Sequence, residues 1–522
     1  MGRINSKKSL LYLLVVIAGI VGMLRLQSYG LSRGDDHSDG NSLMAGRNFA
    51  KQGFFELGFI PSTQPQVSAG KELYPNYPQG ADLMSGMIQS VFPKDNLFVF
   101  RTLMLGLSLA TLVIFWFFLL EVTKSEALAL VGALLLLFNP IQISLLDSLH
   151  QTPYTSVFVA LTLYFCALLL RHDAKSPKFR NLILGISLVG FFNAWFTYET
   201  IVGLFLVPAL VLFFLKREPL KSVAFWSLIV GIGPALASLI RLGIASAHFG
   251  GPAKAVGYFL ELAKERSLSG VERENMLTFQ NWIDGVVVRI FETAFAAPFI
   301  VVLSCALLLW AVSLALEEKR LRSVLAWMGI CLIAGASWYF LMPAHTVAHS
   351  GLSFIHRHLL VPSVLFWLAV TMGIAAGLAK AGSAVNKRPL FNYVCYVPVV
   401  LVMVSGFLKS DLLLGEAAQE RNREFDKLAG QLRETGSRID PSWPGATNYL
   451  RRPFLSYYSD RNVAWLNGPK EYLEKGRGVR FFLLVPYQTP EVQELYNNLL
   501  EDGFSVSERL ENGYLPIIVL KK

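Results

Sequence analysis

An apolar run, LLYLLVVIAGIVGML at residues 10–24, opens the sequence, and a polar segment, SRGDDHSDGNSLMAGRNFAKQGFF at 32–55, follows it. Crossing the hydrocarbon core of a membrane takes about 20 mostly apolar residues. The run follows the basic segment MGRINSKK, as a signal peptide would, but no convincing small-x-small cleavage site comes after it. We therefore expect a retained membrane-spanning helix that places the polar segment at one membrane face.

The composition of the chain indicates a polytopic membrane protein. Of its 522 residues 53% are hydrophobic and 16% are charged, and the mean hydropathy is +0.46, whereas soluble proteins carry about 25% charged residues. The net charge of +10 is typical of basic cytoplasmic loops and does not indicate a nucleic-acid partner. All four cysteines lie in apolar runs, which argues against a disulfide framework or a CxxC metal site.

About eleven segments are long and apolar enough to be predicted as transmembrane helices. They lie near 9–27, 97–120, 127–146, 153–170, 181–198, 200–215, 222–244, 295–316, 323–342, 358–379 and 392–408.

The loops between these segments predict their orientation. Lys and Arg recur in every second loop, as in 171–180 and 216–221, whereas the loops at 147–152 and 197–200 contain neither. Because basic residues stay on the cytoplasmic side, we expect a cytoplasmic N-terminus. The external loops of the membrane module, residues 1–408, are then 28–95, 245–293 and 343–357.

The tail, residues 409–522, is predicted to form a small external α/β domain. Two strand-like runs, RFFLLVP at 480–486 and YLPIIVL at 514–520, flank the helix-like EVQELYNNLLEDG. A longer amphipathic stretch, EAAQERNREFDKLAGQLRETG, precedes them. Helices and strands in this order indicate a domain of about 100 residues.

Within the polar segment, NSLMAGRNFAKQG is predicted to be a short helix, with Asn41 or Ser42 as its N-cap and Gly53 at its end. Asp39 then lies just before the helix, where backbone N–H groups favour negative charge. An ionised carboxylate there can accept a proton from a hydroxyl or bind a divalent cation. The alternative is that Asp36 and Asp39 only cap the helix and solvate the loop.

An acid, a helix with a G-R-N step, a Gly-Phe pair and then YPNYPQG resemble the first external loop of GT-C glycosyltransferases. More narrowly, the stretch resembles the dolichyl-phosphate-mannose–protein mannosyltransferase-like and aminoarabinose-transferase-like group. Ser38-Asp39 replaces the group's paired acids, so the resemblance makes either Asp39 or Asp36 the catalytic acid. It also assigns Arg47 and Tyr77 to the substrate cavity.

The resemblance implies a reaction and its partners. Such enzymes pass a sugar from a polyprenyl-phosphate carrier to a glycan, lipid or protein acceptor on the external membrane face, usually with inversion. It places the chain in the bacterial inner membrane, with the tail in the periplasm. An acid acts as general base and cations stabilise the departing phosphate.

Basic residues near predicted helix ends are candidates for the phosphate site. Arg357, flanked by His356 and His358, can donate two N–H groups to a phosphate. The alternative is that Arg357 extends to the lipid headgroups. Lys254 follows a Gly-Gly-Pro step whose backbone can approach a phosphate. The alternative is that the step is a plain turn and that the residues after it form an amphipathic helix at the membrane interface.

Polar residues at other helix ends are expected to line the same cavity. They are Asp147, His150 and Glu199. Acids at membrane depth are costly and mark candidate functional sites, although Glu199 can instead cap a helix at the water boundary. The histidines of HTVAHSGLSFIHRH at 345–358 leave a divalent metal open, with a hydrogen-bonding role as the alternative.

A transporter or flippase of a lipid-linked sugar is the competing function. It would share the transmembrane helices and the phosphate-binding groups. Transporters often contain inverted repeats and interrupted helices in matching halves, and we find no such symmetry in this sequence.

Overall fold

The structure is a computed structural model of the full chain. It describes residues 6–26, 36–62, 75, 77–92, 97–267, 278–315, 318–349, 356–382, 395–409, 416–440, 442–448, 455, 457, 459, 461, 463–466, 468–476, 478–511 and 515–522.

The elements of the membrane module are helices over the residues that the structure describes. Its helices are α1 (Ser6–Leu26), α2 (Asp36–Gln52), α3 (Gly80–Val91), α4 (Leu97–Thr123), α5 (Glu126–Leu137), α6 (Pro140–Leu145), α7 (Thr152–Leu169), α8 (Pro177–Phe196), α9 (Ile201–Leu210), α10 (Leu220–Phe249), α11 (Pro252–Ser267), α12 (Phe279–Trp282), α13 (Arg289–Phe295), α14 (Phe299–Ala315), α15 (Lys319–Leu341), α16 (Pro343–His349), α17 (Leu360–Gly382) and α18 (Val397–Lys409). Short π-helical turns, Val211–Leu215 and Ile283–Val288, extend α9 and α12, and a 3-10 turn, Arg357–Leu359, precedes α17.

Among the described residues, seven helices are long and apolar enough to cross a membrane. A pair bent by 76° at its break, Phe279–Phe295 with Phe299–Trp310, raises the number to eight. Three further predicted segments form shorter apolar helices, Glu126–Leu137, Ile201–Leu215 and Val397–Gly406. The polytopic helical membrane fold is thus confirmed, whereas the number of eleven full spans is not.

Local sequence explains where the helices begin. Ser125, Asn139 and Ser176 each accept a backbone N–H of the first turn through the side chain, which satisfies groups that a helix end leaves unpaired. Asn139 followed by Pro140 interrupts the predicted 127–146 segment, because Pro cannot donate the backbone hydrogen bond that a continuous helix needs.

Small residues allow the helices to approach closely. At Gly233 of α10 an added Cβ atom would lie 1.8 Å from the carbonyl oxygen of Ser187 on α8. The Gly233 N–H donates to Ser187 Oγ at 3.0 Å. Helix association inside a membrane depends on such close packing, because lipid provides no hydrophobic drive.

The described chain divides into two units. The first contains Met1–Met23, Asn76–Pro78 and Arg101–Asp411, and the second contains Leu24–Pro75, Gln79–Phe100 and Leu412–Lys522. The predicted boundary between 408 and 409 remains a prediction.

In the second unit, α2 packs against α3. The helix begins at Asp36, so Asp39 lies in its first turn, and the prediction that Asp39 precedes the helix is wrong. Helical geometry therefore starts before the predicted Asn41 or Ser42 cap, and the Ser42 hydroxyl instead donates to Asp82 at 2.8 Å. Gly53 has φ of +100° and donates its N–H to the carbonyl of Phe49, as expected for a glycine that ends a helix.

The tail forms a five-stranded sheet in the order β2-β1-β3-β5-β4. Strands β1, β2 and β3 are parallel, and β5 is antiparallel to β3 and β4. The elements are α19 (Glu416–Ser437), β1 (Gly445–Thr447), β2 (Val463–Trp465), α20 (Pro469–Lys475), β3 (Phe481–Leu484), α21 (Pro490–Glu501), β4 (Ser505–Leu510) and β5 (Ile517–Lys521). Both predicted strands are present as β3 and β5, and their buried side chains supply two apolar cores on the two faces of the sheet.

Candidate active site

Glu199 and Arg357 form a buried ion pair at the end of the first unit where α8 and α15 end and α7 and α9 begin. Thr197 is extended and ends α8, and its hydroxyl accepts the N–H of Glu199 at 3.1 Å. The 3-10 turn before α17 carries Arg357. One terminal nitrogen of Arg357 donates to Glu199 at 2.5 Å, and the other donates to the Thr152 hydroxyl at 2.9 Å.

This pair is shielded from water, since the Arg357 and Glu199 side chains are only 5% and 2% exposed. Burial raises the pKa of the Glu199 carboxyl, but the Arg357 guanidinium and the hydrogen bond with His358 lower that pKa well below the usual range. Glu199 is therefore ionised, and the guanidinium of Arg357 does not extend to the lipid headgroups.

Two histidines complete an ion-pair network, which we define as Glu199, Arg357, His358 and His345. His358 Nε2 lies 3.3 Å from the Glu199 carboxylate, and His345 Nε2 lies 4.0 Å from it. His356 is also buried next to Arg357 in sequence. Glu199, Arg357 and His358 of this network border a cavity of about 110 Å³, whose other walls are mostly apolar side chains of α4, α7, α9 and α15.

A second, larger cavity of about 390 Å³ lies between α10, α11 and α15. We call it the arginine groove and define it by Tyr198, Arg241, Arg266 and Trp338 with the apolar face of α11. The guanidinium carbon of Arg241 lies 4.9 Å from the centre of the Tyr198 ring, and that of Arg266 lies 5.7 Å from it. The groove thus combines two arginine cations, aromatic rings and an apolar wall.

Tyr77 lies beside two residues of this groove and His150 lies beside Tyr77, and their place in a substrate cavity remains a prediction. The Arg266 guanidinium lies 4.4 Å from the centre of the Tyr77 ring, which is 6.4 Å from the Tyr198 ring. The His150 ring meets Tyr77 edge to face at 6.5 Å. The structure therefore brings together residues from four distant parts of the sequence.

Asp147 lies in a different environment. It is buried and forms an ion pair with Arg101 of α4, whose Nε donates to the carboxylate at 2.6 Å. Asp147 lines neither cavity, and its contact with Arg101 fixes the turn before α7 to α4. Its predicted place in a substrate cavity remains a prediction.

Three candidates from the first predicted external loop belong to the second unit. Asp39 is fully buried in the first turn of α2, and the side chain of Asp36 lies outside the described residues. Arg47 donates to the backbone carbonyl of Tyr457 at 2.9 Å, and its guanidinium lies 4.9 Å from the centre of that tyrosine ring. Arg47 thus contacts the tail within its own unit.

Lys254 is exposed on α11 and lines neither cavity, so the structure does not bring it to the phosphate candidates. Across the described ranges, no three His, Cys, Asp or Glu side chains are grouped so that they could hold a metal ion. The side chain of His349 is outside these ranges.

In the sequence, Arg241 lies at the end of an apolar segment and Arg266 on a predicted interfacial helix, so lipid headgroups are the expected surroundings of both, and no pattern singles out Thr152 or Trp338. Thr152 is one of many hydroxyls at helix starts, and Trp338 falls within an apolar segment. A signal was available, because Trp338 and Arg241 lie toward the C-terminal ends of α15 and α10, and Tyr198 follows the C-terminal end of α8. An aromatic residue at this depth is common at membrane boundaries.

The bundle of long apolar helices makes this a polytopic membrane protein, and arginine side chains lie at one end of the bundle. The chain is similar to ArnT from Cupriavidus metallidurans bound to undecaprenyl phosphate, with a TM-score of 0.59 and 12% identity over 98% of this chain and 97% of ArnT. The apo form of ArnT gives a TM-score of 0.55 at 12% identity, covering 99% and 98% of the two chains.

An archaeal oligosaccharyltransferase has a related fold. AglB from Archaeoglobus fulgidus, in complex with an inhibitory peptide and a dolichol-phosphate, gives a TM-score of 0.54 at 11% identity over 92% of this chain and 69% of AglB. No family model and no curated protein sequence matches the chain. The predicted resemblance is confirmed at the level of architecture, because the chain shares its fold with ArnT and with AglB.

Proposed function

We propose that this protein is a membrane glycosyltransferase that moves a sugar from a polyprenyl-phosphate carrier to an acceptor on the external face. The observation that carries the proposal is the arginine groove, where Arg241 and Arg266 lie beside an apolar wall formed by α11. A lipid phosphate needs both features, because its head is anionic and its tail is isoprenoid. Guanidinium groups bind phosphate oxygens in forked pairs.

In this proposal the phosphate of the donor binds between Arg241 and Arg266, and the tail follows the apolar residues of α11. The ArnT and AglB structures were determined with undecaprenyl phosphate and dolichol-phosphate, which supports a carrier of this class. Direct binding of phosphate by Arg357, His356 and His358 is the alternative at the neighbouring cavity.

Asp39 is the proposed general base. In the reaction, the acceptor oxygen forms a bond to the anomeric carbon as the bond from that carbon to the phosphate oxygen breaks. The bonding electrons leave with the phosphate, where arginines stabilise the charge, and the acceptor proton passes to the carboxylate. Attack opposite the leaving group inverts the anomeric configuration.

The remaining parts of the proposal concern placement and partners. Basic residues in alternate loops favour a cytoplasmic N-terminus and an external tail, and we assign the protein to a bacterial inner membrane. The acceptor is a glycan, a lipid or a protein.

Sugar transfer in reconstituted membranes tests this function. The purified protein in lipid nanodiscs is supplied with a panel of radiolabelled polyprenyl-phosphate sugars and an envelope extract as acceptor. We expect transfer by the wild type and by Lys254→Gln, whose lysine is exposed outside the groove, and loss of transfer in Arg266→Gln. Equal transfer by Arg266→Gln contradicts the phosphate site.

The competing transporter function predicts a different result. A transporter moves a fluorescent lipid-linked sugar between the leaflets of a liposome and transfers none of the labelled sugars. That combination would overturn the glycosyltransferase proposal.

A further inference from the structure

We propose that the Glu199–Arg357 ion pair positions the aromatic walls of the arginine groove and does not itself bind the donor phosphate. Glu199 and Arg357 are then positioning residues that act through Tyr198 and Trp338. The identity of the ligand in this inference rests on the proposed function, whereas the structural connection to the groove does not.

The first connection runs through the link between α8 and α9. Tyr198 lines the groove and is the chain neighbour of Glu199, which lines the other cavity. Hydrogen bonds hold the link, since Thr200 Oγ1 donates to Asn193 at 2.9 Å and the N–H of Glu199 donates to Thr197. Fixing the Glu199 carboxylate therefore limits where the Tyr198 ring can lie.

The Tyr198 ring in turn determines where the groove cations lie. A terminal nitrogen of Arg241 donates to the Tyr198 hydroxyl at 3.4 Å, and both Arg241 and Arg266 lie over its ring. Cations are attracted to the faces of aromatic rings. A displaced ring would change the separation of the two guanidinium groups.

The second connection runs through His358. The His358 ring is hydrogen bonded to Glu199 and stacks on Trp338, with centroids 6.1 Å apart and an interplanar angle of 28°. Trp338 is buried and lines the groove. Two of the aromatic groove walls are therefore connected to the same carboxylate.

The contacts of Arg357 also argue against a phosphate role. Each of its two terminal nitrogens donates a hydrogen bond, one to Glu199 and the other to Thr152. A phosphate that took the place of the Glu199 carboxylate would leave that carboxylate buried without its cation, which is costly. The groove presents its arginines against aromatic faces.

A double-mutant cycle distinguishes positioning from direct binding. Glu199→Gln and Arg357→Gln each leave one buried charge without its partner, while the double variant removes both charges and keeps two groups that can hydrogen bond. Undecaprenyl phosphate affinity is measured in nanodiscs. In parallel, ¹⁹F NMR of 5-fluorotryptophan-labelled protein follows Trp338, whose resonance is assigned with Trp338→Phe.

We expect each single variant to shift the Trp338 resonance and to weaken binding by about tenfold or more. The double variant should restore most of the affinity and the wild-type resonance. Glu121→Gln is the matched control, because it removes a carboxylate that pairs with Lys124 and Arg171 away from the groove, and it should leave both readouts unchanged.

Two results would overturn the inference. One is a double variant that binds no better than Arg357→Gln, because Arg357 would then contact the phosphate directly. The other is a Trp338 resonance that no single variant moves. If the resonance follows the cycle but no sugar is transferred from any donor, the positioning role stands and the glycosyltransferase function fails.

Discussion

Gly335 of α15 lies directly against the backbone of His358, so that an added Cβ atom would be 2.2 Å from the His358 carbonyl oxygen and 3.1 Å from its carbonyl carbon. No real Cβ atom approaches a carbonyl oxygen so closely. The contact holds the turn that carries Arg357 and His358 against α15. The ion-pair network therefore requires glycine at position 335, because only a residue without a Cβ atom allows this approach.

Gly335→Ala should destabilise the protein, because backbone has to move to admit the methyl group. Overpacking of this kind costs about 1–3 kcal/mol, and we expect a lower thermal midpoint together with weaker undecaprenyl phosphate binding. Gly329→Ala on the same helix is the control, since its Cβ would meet no atom within 4 Å. It should be neutral or stabilising by up to about 1 kcal/mol. Equal midpoints for the two variants would contradict the contact.

Asp39→Asn should abolish most sugar transfer while leaving the fold intact, because the amide keeps the shape of the buried side chain but cannot take a proton. General base catalysis typically contributes about 10²–10⁴-fold. Initial rates with the active donor, beside thermal midpoints, measure the effect. Asp36→Asn is the comparison, and a larger loss at Asp36 would move the base to that residue.

The pH dependence of stability should identify the Glu199 ion pair. The pKa of Glu199 is lowered in the folded protein, so its stabilising contribution is complete above the unfolded carboxyl pKa of about 4.3 and is lost only as pH falls through the lower folded value. The difference in thermal midpoint between wild type and Glu199→Gln should stay constant from about pH 8 to pH 5.

Below that range the difference should shrink. A difference that already declines between neutral pH and pH 5 would mean that the Glu199 pKa is not lowered. Glu121→Gln, which affects a more exposed carboxylate, provides the reference profile.

Arg47→Ala should loosen the second unit. The substitution removes the hydrogen bond to the Tyr457 carbonyl and the contact with its ring. Hydrogen bonds that involve a charged group contribute about 1.5–3 kcal/mol. We expect faster proteolysis within the tail, measured against Lys51→Ala, which alters an exposed residue one turn later on α2. Unchanged proteolysis would leave Arg47 available for a direct role in substrate binding.

Local sequence patterns predicted many of the helices and strands, but few of the contacts between side chains that are distant in the sequence. Apolar length gave the helical bundle, and Gly53 gave the end of α2, because both depend on short stretches of chain. The start of α2 was misplaced, since polar side chains after a membrane segment can cap a helix or continue it with equal ease. Asp39 consequently lies on the helix and not before it.

In the candidate site, too, the sequence predicted individual residues but not the contacts between them. Glu199 and Arg357 were both identified as candidates from their types and their places at helix ends, but 158 positions separate them. A charged group near a membrane has the same sequence signature whether it reaches water or pairs inside the bundle. Whether the group reaches water or is paired inside the bundle depends on an oppositely charged group nearby. Only the packing of α7, α9 and α15 brings that group close.

Composition, apolar periodicity and the distribution of Lys and Arg thus determined the class of protein, the positions of most helices and the presence of an α/β tail. Each of these follows from the free energy of placing a local segment in lipid or water. Tertiary structure alone decided that Arg357 is neutralised by Glu199 and that Arg241 and Arg266 meet over Tyr198. Those contacts arise from helices brought together by close packing, which no local pattern encodes.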